Sequence, residues 1–183
     1  MKRVLSFDIS STTCGWAVLD WDRVSIKLVD SGFIKPSKKD SLFKTLANLK
    51  SQINDLIQKH KPNEIAIENI VEFMAQKSSA KSIIKLAVFN RTVGLACYEA
   101  TGVEPNLYSV MSIRHKLKLS KPLPKKDEMP QILEKRLSIT FPWVKKMKKK
   151  KGSKNPVESI CDESYDVADG ICVGLYHCMV NQK

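Results

Sequence analysis

Short apolar runs open the chain, and longer apolar repeats follow them. Residues 4–10 are rich in β-branched and aromatic side chains and predict a buried strand. Residues 15–20 and 24–29 predict two more strands with a turn at Asp22-Arg23, and residues 32–34 are a candidate extension of the third. Three such strands in succession predict an antiparallel meander.

The rest of the chain alternates between helical and strand patterns. Leucine and isoleucine recur at helical spacing over 42–57, and Pro62 follows the expected helix end. Further along, the patterns predict a strand at 64–70, a long helix from 78 or 79 to about 100, a short strand at 106–110, a helix from about 127 to 139, and a final helix through Val180. This order predicts one α/β domain spanning 1–183, with a mixed sheet flanked by helices.

The helix predicted at 78–100 is apolar on more sides than a surface helix needs. Such a wide apolar face requires cover from more than one direction. We therefore expect one part of this helix to pack on the sheet and another part to form a homodimer contact.

Acidic residues interrupt or end several of these apolar segments. Asp8 lies inside the first run and Glu68 near the end of the strand at 64–70. Asp166 and Asp169 stand three apart in a segment whose apolar residues follow helical spacing, so both project from one helix face. We expect these four side chains to meet at one end of the sheet.

Four clustered carboxylates need a counter-charge. Two unit charges about 4 Å apart repel by roughly 4 kcal/mol at an effective dielectric near 20. Oxygen ligands suit Mg²⁺ or Mn²⁺, and a pair of such ions can activate water on one side of a phosphodiester and stabilise the leaving oxygen on the other. The alternative is structural: Asp8 ends a strand, Glu68 caps a turn, and the late acids decorate a helix start.

The overall charge indicates an anionic partner. The formal net charge is +12 and the pI is near 9.5, values that favour nucleic acid through counterion release. No signal-peptide core or membrane-length apolar stretch is recognised, and five cysteines without a CxxC pair predict reduced thiols. These features predict a cytoplasmic protein without a zinc site.

Much of the positive charge lies in the lysine-rich segment 145–154. A low-complexity run of like charges predicts a mobile loop at about 145–155. It is interpreted either as a solvated linker or as a loop that closes over a bound phosphate backbone near Asp166.

Taken together, the acidic motifs resemble those of the RuvC family of Holliday-junction resolvases. The motifs are Asp8 in the first strand, Ala66-Ile67-Glu68-Asn69, and Asp166-Val167-Ala168-Asp169-Gly170. The resemblance implies a ribonuclease H-like fold with a mixed five-stranded sheet, a homodimer, and cleavage of branched DNA with two Mg²⁺ ions, for which Mn²⁺ can substitute. Carried over by position, the catalytic and metal-binding residues are Asp8, Glu68, Asp166 and Asp169.

The same resemblance implies DNA-binding residues. The stretch 73–80 is similar to a family loop whose aromatic residue contacts an unstacked base, a role that falls to Phe73 here; the alternative is that Phe73 packs in the core or the dimer interface. Basic residues near the active site would hold the scissile phosphate. The expected DNA-binding set is Phe73, Lys77, Arg114, Lys116, Lys125, Lys126, Lys148 and Lys149.

Some positions depart from the family pattern. Residues 8–12 read Asp-Ile-Ser-Ser-Thr where bacterial members have Asp-Pro-Gly, and the lysine-rich segment is absent from typical bacterial members. We interpret the chain as a divergent, phage-type member that acts in the cytoplasm of a bacterial or phage-infected cell.

Two other functions fit parts of the sequence. Residues 7–13 also resemble the first phosphate-binding hairpin of sugar kinases and actin-like ATPases, although the chain is short for two such lobes and has no later Gly-rich adenosine-binding segment. The second alternative is a branched-DNA-binding protein of the same fold without catalysis. Mg²⁺-dependent cleavage separates it from the nuclease.

Overall fold

The computed structural model describes residues 1–70, 79–117, 126–149 and 156–182. The strands are β1 (Lys2–Ile9), β2 (Cys14–Trp21), β3 (Ile26–Ile34), β4 (Glu64–Glu68), β5 (Asn106–Tyr108), β6 (Lys145–Lys149) and β7 (Pro156–Ile160). The α-helices are α1 (Leu42–His60), α2 (Ala80–Thr101), α3 (Val110–Lys116), α4 (Met129–Leu137) and α5 (Glu163–Asn181).

The main sheet has five strands in the order β3-β2-β1-β4-β5. The first three strands form the antiparallel meander, and β4 and β5 continue the sheet parallel to β1. The predicted mixed five-stranded sheet is therefore confirmed. Because β1 and β4 are parallel, their carboxyl ends lie at the same end of the sheet, which we call the acidic end.

Helices cover both faces of the sheet. On one face, α1 and α2 contribute Leu49, Ile53, Phe89 and Val93 to a core cluster. On the other face, α3, α4 and α5 pack in a second cluster. The buried residues of the strands alternate between these two cores, as the pleat of a strand requires.

Glycines allow α5 to lie directly on the sheet. A Cβ added at Gly15 would lie 1.9 Å from the carbonyl oxygen of Asp166, and one added at Gly170 would lie 2.8 Å from the carbonyl carbon of Gly15. A Cβ at Gly174 would lie 2.6 Å from Oγ of Ser6. Larger residues at these positions would push the helix away from β1 and β2.

The lysine-rich segment differs from the prediction. Residues 145–149 were expected in a mobile loop, but they form β6, which pairs with β7 in a separate two-stranded hairpin. Pairing overrides the poor strand propensity of this run: Lys145 forms an ion pair with Glu158 at 3.1 Å, and Cys161 N–H donates to the carbonyl of Val144 at the base of the hairpin. Residues 150–155 lie outside the described residues.

Smaller differences concern a helix, a turn and two histidines. Helix α3 was not predicted, and the first hairpin turn spans 22–25 because Asp22 Oδ1 accepts hydrogen bonds from the backbone N–H groups of Val24 and Ser25. His60 in α1 and His177 in α5 are buried polar residues, a burial that the sequence pattern does not indicate. All five cysteines are free and buried.

Helix α2 leaves apolar side chains uncovered. Ile84, Leu95 and Tyr98 are exposed, as is Leu107 on the neighbouring edge strand β5. Phe89 and Val93 face the core from the same helix. The helix thus has apolar residues both in the core and on an open surface. Among the described residues, no helix combines the length and apolar character needed to cross a membrane.

Candidate active site

Asp8 occupies the carboxyl end of β1, between the buried residues Phe7 and Ile9. Its cross-strand partner is Gly15. The connection to β2 is held in place by Ser10, whose Oγ donates to the carbonyl of Thr13 at 2.8 Å. The side chain of Asp8 is half-buried at the acidic end of the sheet, so the strand holds a carboxylate at a fixed position.

Helix α5 brings the two late aspartates to the same place. Ser6 Oγ donates a 2.8 Å hydrogen bond to the carbonyl of Gly170, and Gly15 allows close contact with the backbone of Asp166. These contacts tie the first turns of α5 to β1 and β2. Asp166 and Asp169 consequently project beside Asp8.

The three aspartates form a compact oxygen cluster. One carboxylate oxygen from each of Asp8, Asp166 and Asp169 lies within 4.8 Å of the others, and all three side chains are half-buried. Oxygen donors at this spacing fit a hard divalent cation such as Mg²⁺ or Mn²⁺. The chemistry of the donor set therefore fits the metal that the sequence predicts.

Glu68 ends β4 on the neighbouring strand. The register pairs Phe7 with Ile67, which places Asp8 and Glu68 at adjacent strand ends. Asn90 Nδ2 donates to the carbonyl of Glu68 at 2.8 Å and fixes this end of the strand against α2. Glu68 is not one of the three residues within 4.8 Å, but it lines the same cavity as Asp8 and Asp169.

This cavity has a volume of about 230 Å³ and two unlike walls. One wall carries the carboxylates of Asp8, Glu68 and Asp169, and Arg114 adds a cation beside them. The other wall is apolar and is formed by Val110, Ile113, Leu117, Met129 and Cys172. A charged group and an apolar group of one ligand can thus be held side by side.

Burial and nearby charges both act on the pKa of the Cys172 thiol, which lines the cavity. Burial raises its pKa well above the ordinary value, and the negative charges of Asp169, Asp8 and Glu68 raise it further, whereas Arg114 opposes them. The thiol of Cys14 behaves in the same way, since burial and then the charge of Asp8 raise its pKa. The three carboxylates within 4.8 Å of one another concentrate negative charge at the centre of the site, which favours cation binding.

The structure places the predicted basic residues unequally. Arg114 lines the cavity, whereas Lys116, one helical half-turn further along α3, is exposed and is not among the lining residues. The backbones of Lys126, Lys148 and Lys149 lie in described elements. Phe73, Lys77 and Lys125 lie outside the described residues.

Sequence reasoning missed the apolar wall of the cavity. Helix α3 begins after Ser109, whose Oγ accepts a hydrogen bond from the backbone N–H of Ser112. The apolar residues Val110, Ile113 and Leu117 follow at helical spacing. An N-cap serine before that spacing is the signal that could have identified the wall.

The fold and the acidic cluster together define a ribonuclease H-like domain with a carboxylate site at the ends of its central strands. The family described as "Crossover junction endodeoxyribonuclease RuvC" matches residues 4–118. This match covers more than half of the chain, so the chain belongs to the RuvC family. Asp166 and Asp169 lie beyond the matched residues, and their place in the site rests on the structure.

Curated members of this family are similar to the chain over part of their length. The chain is 34% identical over 107 residues to RuvC of Helicobacter pylori (strain G27), covering 55% of this chain and 60% of the relative. It is 31% identical over 103 residues to RuvC of Petrotoga mobilis, covering 54% and 62%. These matches span less than two thirds of the relatives.

Solved structures share the fold over nearly the whole chain. Thermus thermophilus RuvC in complex with a Holliday junction substrate superposes with a TM-score of 0.73 at 17% identity, covering 100% of this chain and 96% of that one. The yeast mitochondrial Holliday junction resolvase Ydc2 gives a TM-score of 0.64 at 16% identity, covering 99% and 79%. These structures confirm the predicted fold class, and the family match over residues 4–118 confirms the predicted family.

Proposed function

We propose that this protein is a metal-dependent endonuclease that hydrolyses phosphodiesters in branched DNA, Holliday junctions among them. The observation that carries the proposal is the convergence of Asp8, Asp166 and Asp169 within 4.8 Å, with Glu68 lining the same cavity. Membership of the RuvC family supports the same reaction, since curated members carry the name crossover junction endodeoxyribonuclease.

In this proposal the four carboxylates hold two Mg²⁺ ions, and Mn²⁺ substitutes for them. Bound there, such ions would supply Lewis-acid chemistry that activates water and offsets charge on the leaving oxygen of a phosphodiester. The protein fixes the oxygen ligands on β1, β4 and α5. Because α5 packs closely on β1 and β2, we expect the carboxylates to need little rearrangement when DNA binds.

Arg114 has a separate role. Its position beside the carboxylates, on the wall formed by α3, suits a guanidinium that binds the scissile phosphate and offsets its developing charge. The apolar residues next to Arg114 provide a surface for the sugar or base of the adjoining nucleotide. Phe73, Lys77, Lys116, Lys125, Lys126, Lys148 and Lys149 are proposed to bind DNA further from the reacting phosphate.

The proposed assembly is a homodimer through α2. The exposed residues Ile84, Leu95 and Tyr98, with Leu107 on β5, provide an apolar surface for a second copy. Two copies related by a two-fold axis would place two active sites on the two-fold symmetric arms of a four-way junction.

The test is a cleavage assay on four-way junctions, forks, flaps, RNA–DNA hybrids and linear duplex. Each substrate is incubated with Mg²⁺, Mn²⁺, Ca²⁺ or chelator. We expect cutting of branched DNA with Mg²⁺ or Mn²⁺ and none with chelator. The matched control is Asp8→Asn, which should bind junctions but not cut them.

Two results would contradict the proposal. Junction binding without cleavage under any metal would favour the non-catalytic DNA-binding protein. Cleavage that survives both chelator and Asp8→Asn would remove the acidic cluster from the reaction.

A further inference from the structure

The segment 35–44, which follows β3 and includes the first turn of α1, displays an exposed aromatic residue. Of the five phenylalanines that the structure describes, Phe43 alone is exposed, with 82% of its surface accessible. Its neighbour Leu42 is also exposed. A single exposed apolar residue is ordinary on protein surfaces, so the case depends on what surrounds Phe43 and on where it lies.

The surroundings of Phe43 are basic. Between residues 35 and 44 the sequence has four lysines and one aspartate. Asp40 pairs with Lys44 at 3.0 Å, while Lys38 and Lys39 are exposed beside the start of α1. An exposed ring among lysines matches the two features of an unpaired nucleotide, namely a flat base and a charged phosphate.

The segment is held in one shape. Thr45 Oγ1 donates to the carbonyl of Ser41 at 2.9 Å and lies 3.3 Å from the carbonyl of Ser37. The backbone N–H of Lys39 donates to Ser37 Oγ at 3.2 Å, and Pro36 is buried. A ring displayed on a restrained segment loses less entropy on binding than a ring on a floppy loop.

The segment lies at the acidic end of the sheet. Ile34, the last residue of β3, pairs with Cys14, which in turn pairs with Ile9 beside Asp8. Lys35 forms an ion pair with Glu163 in the first turn of α5. In the sheet, β2 lies between β3 and β1. The axes of β3 and β1 are therefore about 10 Å apart, which equals about three nucleotide steps along a DNA strand.

We propose that Phe43, with Lys38 and Lys39, forms a stacking platform for an unpaired nucleotide of the DNA strand that enters or leaves the acidic cavity. This inference rests on the proposed function and extends it, because it adds a second candidate aromatic contact, in the first turn of α1, to the one proposed for Phe73. The platform binds unpaired DNA without reading its sequence, because every base offers a flat face.

The experiment measures binding without catalysis, in Ca²⁺, by fluorescence anisotropy. The DNAs are a junction with an unpaired stretch at the branch and a blunt duplex of equal length. Stacking is worth about 1–3 kcal/mol per base, so Phe43→Ala should weaken binding of the first DNA about 5- to 140-fold and change duplex binding little. Phe43→Trp should retain the affinity, and Lys38→Gln and Lys39→Gln should each lower the salt slope by about 0.9.

Val24→Ala is the matched control. Val24 is 93% exposed in the turn between β2 and β3, at the opposite end of the sheet, so this change should affect neither DNA. A 2-aminopurine at the unpaired position should be quenched by the wild type and not by Phe43→Ala.

Equal weakening on both DNAs, or none, would overturn the platform. A change of oligomeric state in Phe43→Ala, measured by sedimentation, would also overturn it by placing the ring in a protein contact. A wild type that binds but does not cut would refute the proposed function and leave the platform standing.

Discussion

Carboxylates at the two ends of the central sheet have different surroundings. At the end away from the cavity, Glu64 accepts hydrogen bonds from Lys2 at 2.7 Å, Trp21 at 2.8 Å and His177 at 3.0 Å. At the acidic end, Asp8 lies within 4.8 Å of two more carboxylates. Strand β4 contains an acid of each kind, since Glu64 begins the strand and Glu68 ends it.

The difference separates an acid that stabilises the fold from the acids that we propose bind metal ions. Burial raises the pKa of Glu64, but hydrogen bonds from Lys2, His177 and Trp21 outweigh burial and hold that pKa below its ordinary value. A neutral His177 satisfies both of its neighbours by donating from Nε2 to Glu64 and accepting at Nδ1 from Tyr108. Hydrogen bonds from three side chains compensate the charge of Glu64, whereas the oxygens of Asp8, Asp166 and Asp169 are spaced as donors that fit a divalent cation.

The largest predicted difference comes from replacing each of the two glutamates of β4 in turn by glutamine. We expect Glu68→Gln to lower cleavage at least about 100-fold, because even outer partners of metal ligands cost 10–100-fold, and to leave the melting temperature nearly unchanged. Glu64→Gln should cost about 1–3 kcal/mol of unfolding free energy and preserve cleavage below the melting temperature. Denaturant unfolding measures the stability of each variant, and a cleavage assay measures its rate. Loss of stability in Glu68→Gln together with loss of cleavage in Glu64→Gln would contradict the assignment of a structural role to Glu64 and a catalytic role to Glu68.

Helix α3 offers a second comparison, between Arg114, which lines the cavity, and Lys116, which does not. We expect Arg114→Ala to lower kcat about 100- to 1,000-fold, because it removes a cation next to the reacting phosphate. Lys116→Ala should leave kcat unchanged and reduce the slope of log affinity against log salt by about 0.9. Single-turnover cleavage and binding at several salt concentrations distinguish them; similar kcat values for both variants would contradict the role of Arg114.

Gly15 tests whether close helix packing sets the position of Asp166. Gly15→Ala should destabilise the protein by about 1–3 kcal/mol and lower cleavage more than tenfold, because its Cβ cannot fit against the backbone of Asp166. Gly94→Ala in α2 is the control: among the described residues its Cβ would meet only Ile67 Cδ1, at 3.8 Å, so stability should stay level or rise by up to about 1 kcal/mol. Full activity of folded Gly15→Ala would show that α5 tolerates displacement.

The smallest predicted effect concerns pH and the buried histidine. Burial lowers the pKa of His177 below 6.5, although Glu64 opposes the change. The unfolded chain therefore takes up a proton first, and stability should fall as the pH drops below about 6.5, by at most about 1.4 kcal/mol per pH unit. Glu64, with its depressed pKa, contributes stability above pH 4.5 that is lost as the pH falls through its lower folded value.

Denaturant unfolding between pH 4 and 7 measures this slope. His177→Gln should flatten it between pH 6.5 and 5, while His60, whose pKa burial also lowers, maintains part of it. Lys2, Glu64 and Tyr108 are the ionisable neighbours of His177. An unchanged slope in His177→Gln would exclude this histidine as the cause.

Sequence predicted the acidic end better than the opposite end. A carboxylate inside an apolar run, as at Asp8, has few structural explanations, and the parallel order of β1 and β4 brings Glu68 beside it. Glu64 could not be distinguished in this way. It lies on the same strand face as Glu68, and its partner His177 is 113 residues away in the chain.

Two elements escaped prediction for other reasons. Helix α3 has only seven residues, so its periodic pattern is short and the N-cap Ser109 is the clearer signal for it. The β6–β7 hairpin has a lysine-rich strand that local propensity disfavours, and its pairing with Glu158 and its attachment near Val144 stabilise it. Ser164 Oγ lies within hydrogen-bond distance of both backbone groups of Val144, a contact that no local pattern indicates.

Anomalous diffraction from crystals soaked in Mn²⁺ tests the central claim most directly. We predict Mn²⁺ peaks bound by carboxylate oxygens of Asp8, Asp166 and Asp169 in the wild type, and their loss or weakening in Asp8→Asn crystals. Saturating Mn²⁺ with no peak in the cavity, and with these three side chains turned away from one another, would contradict it.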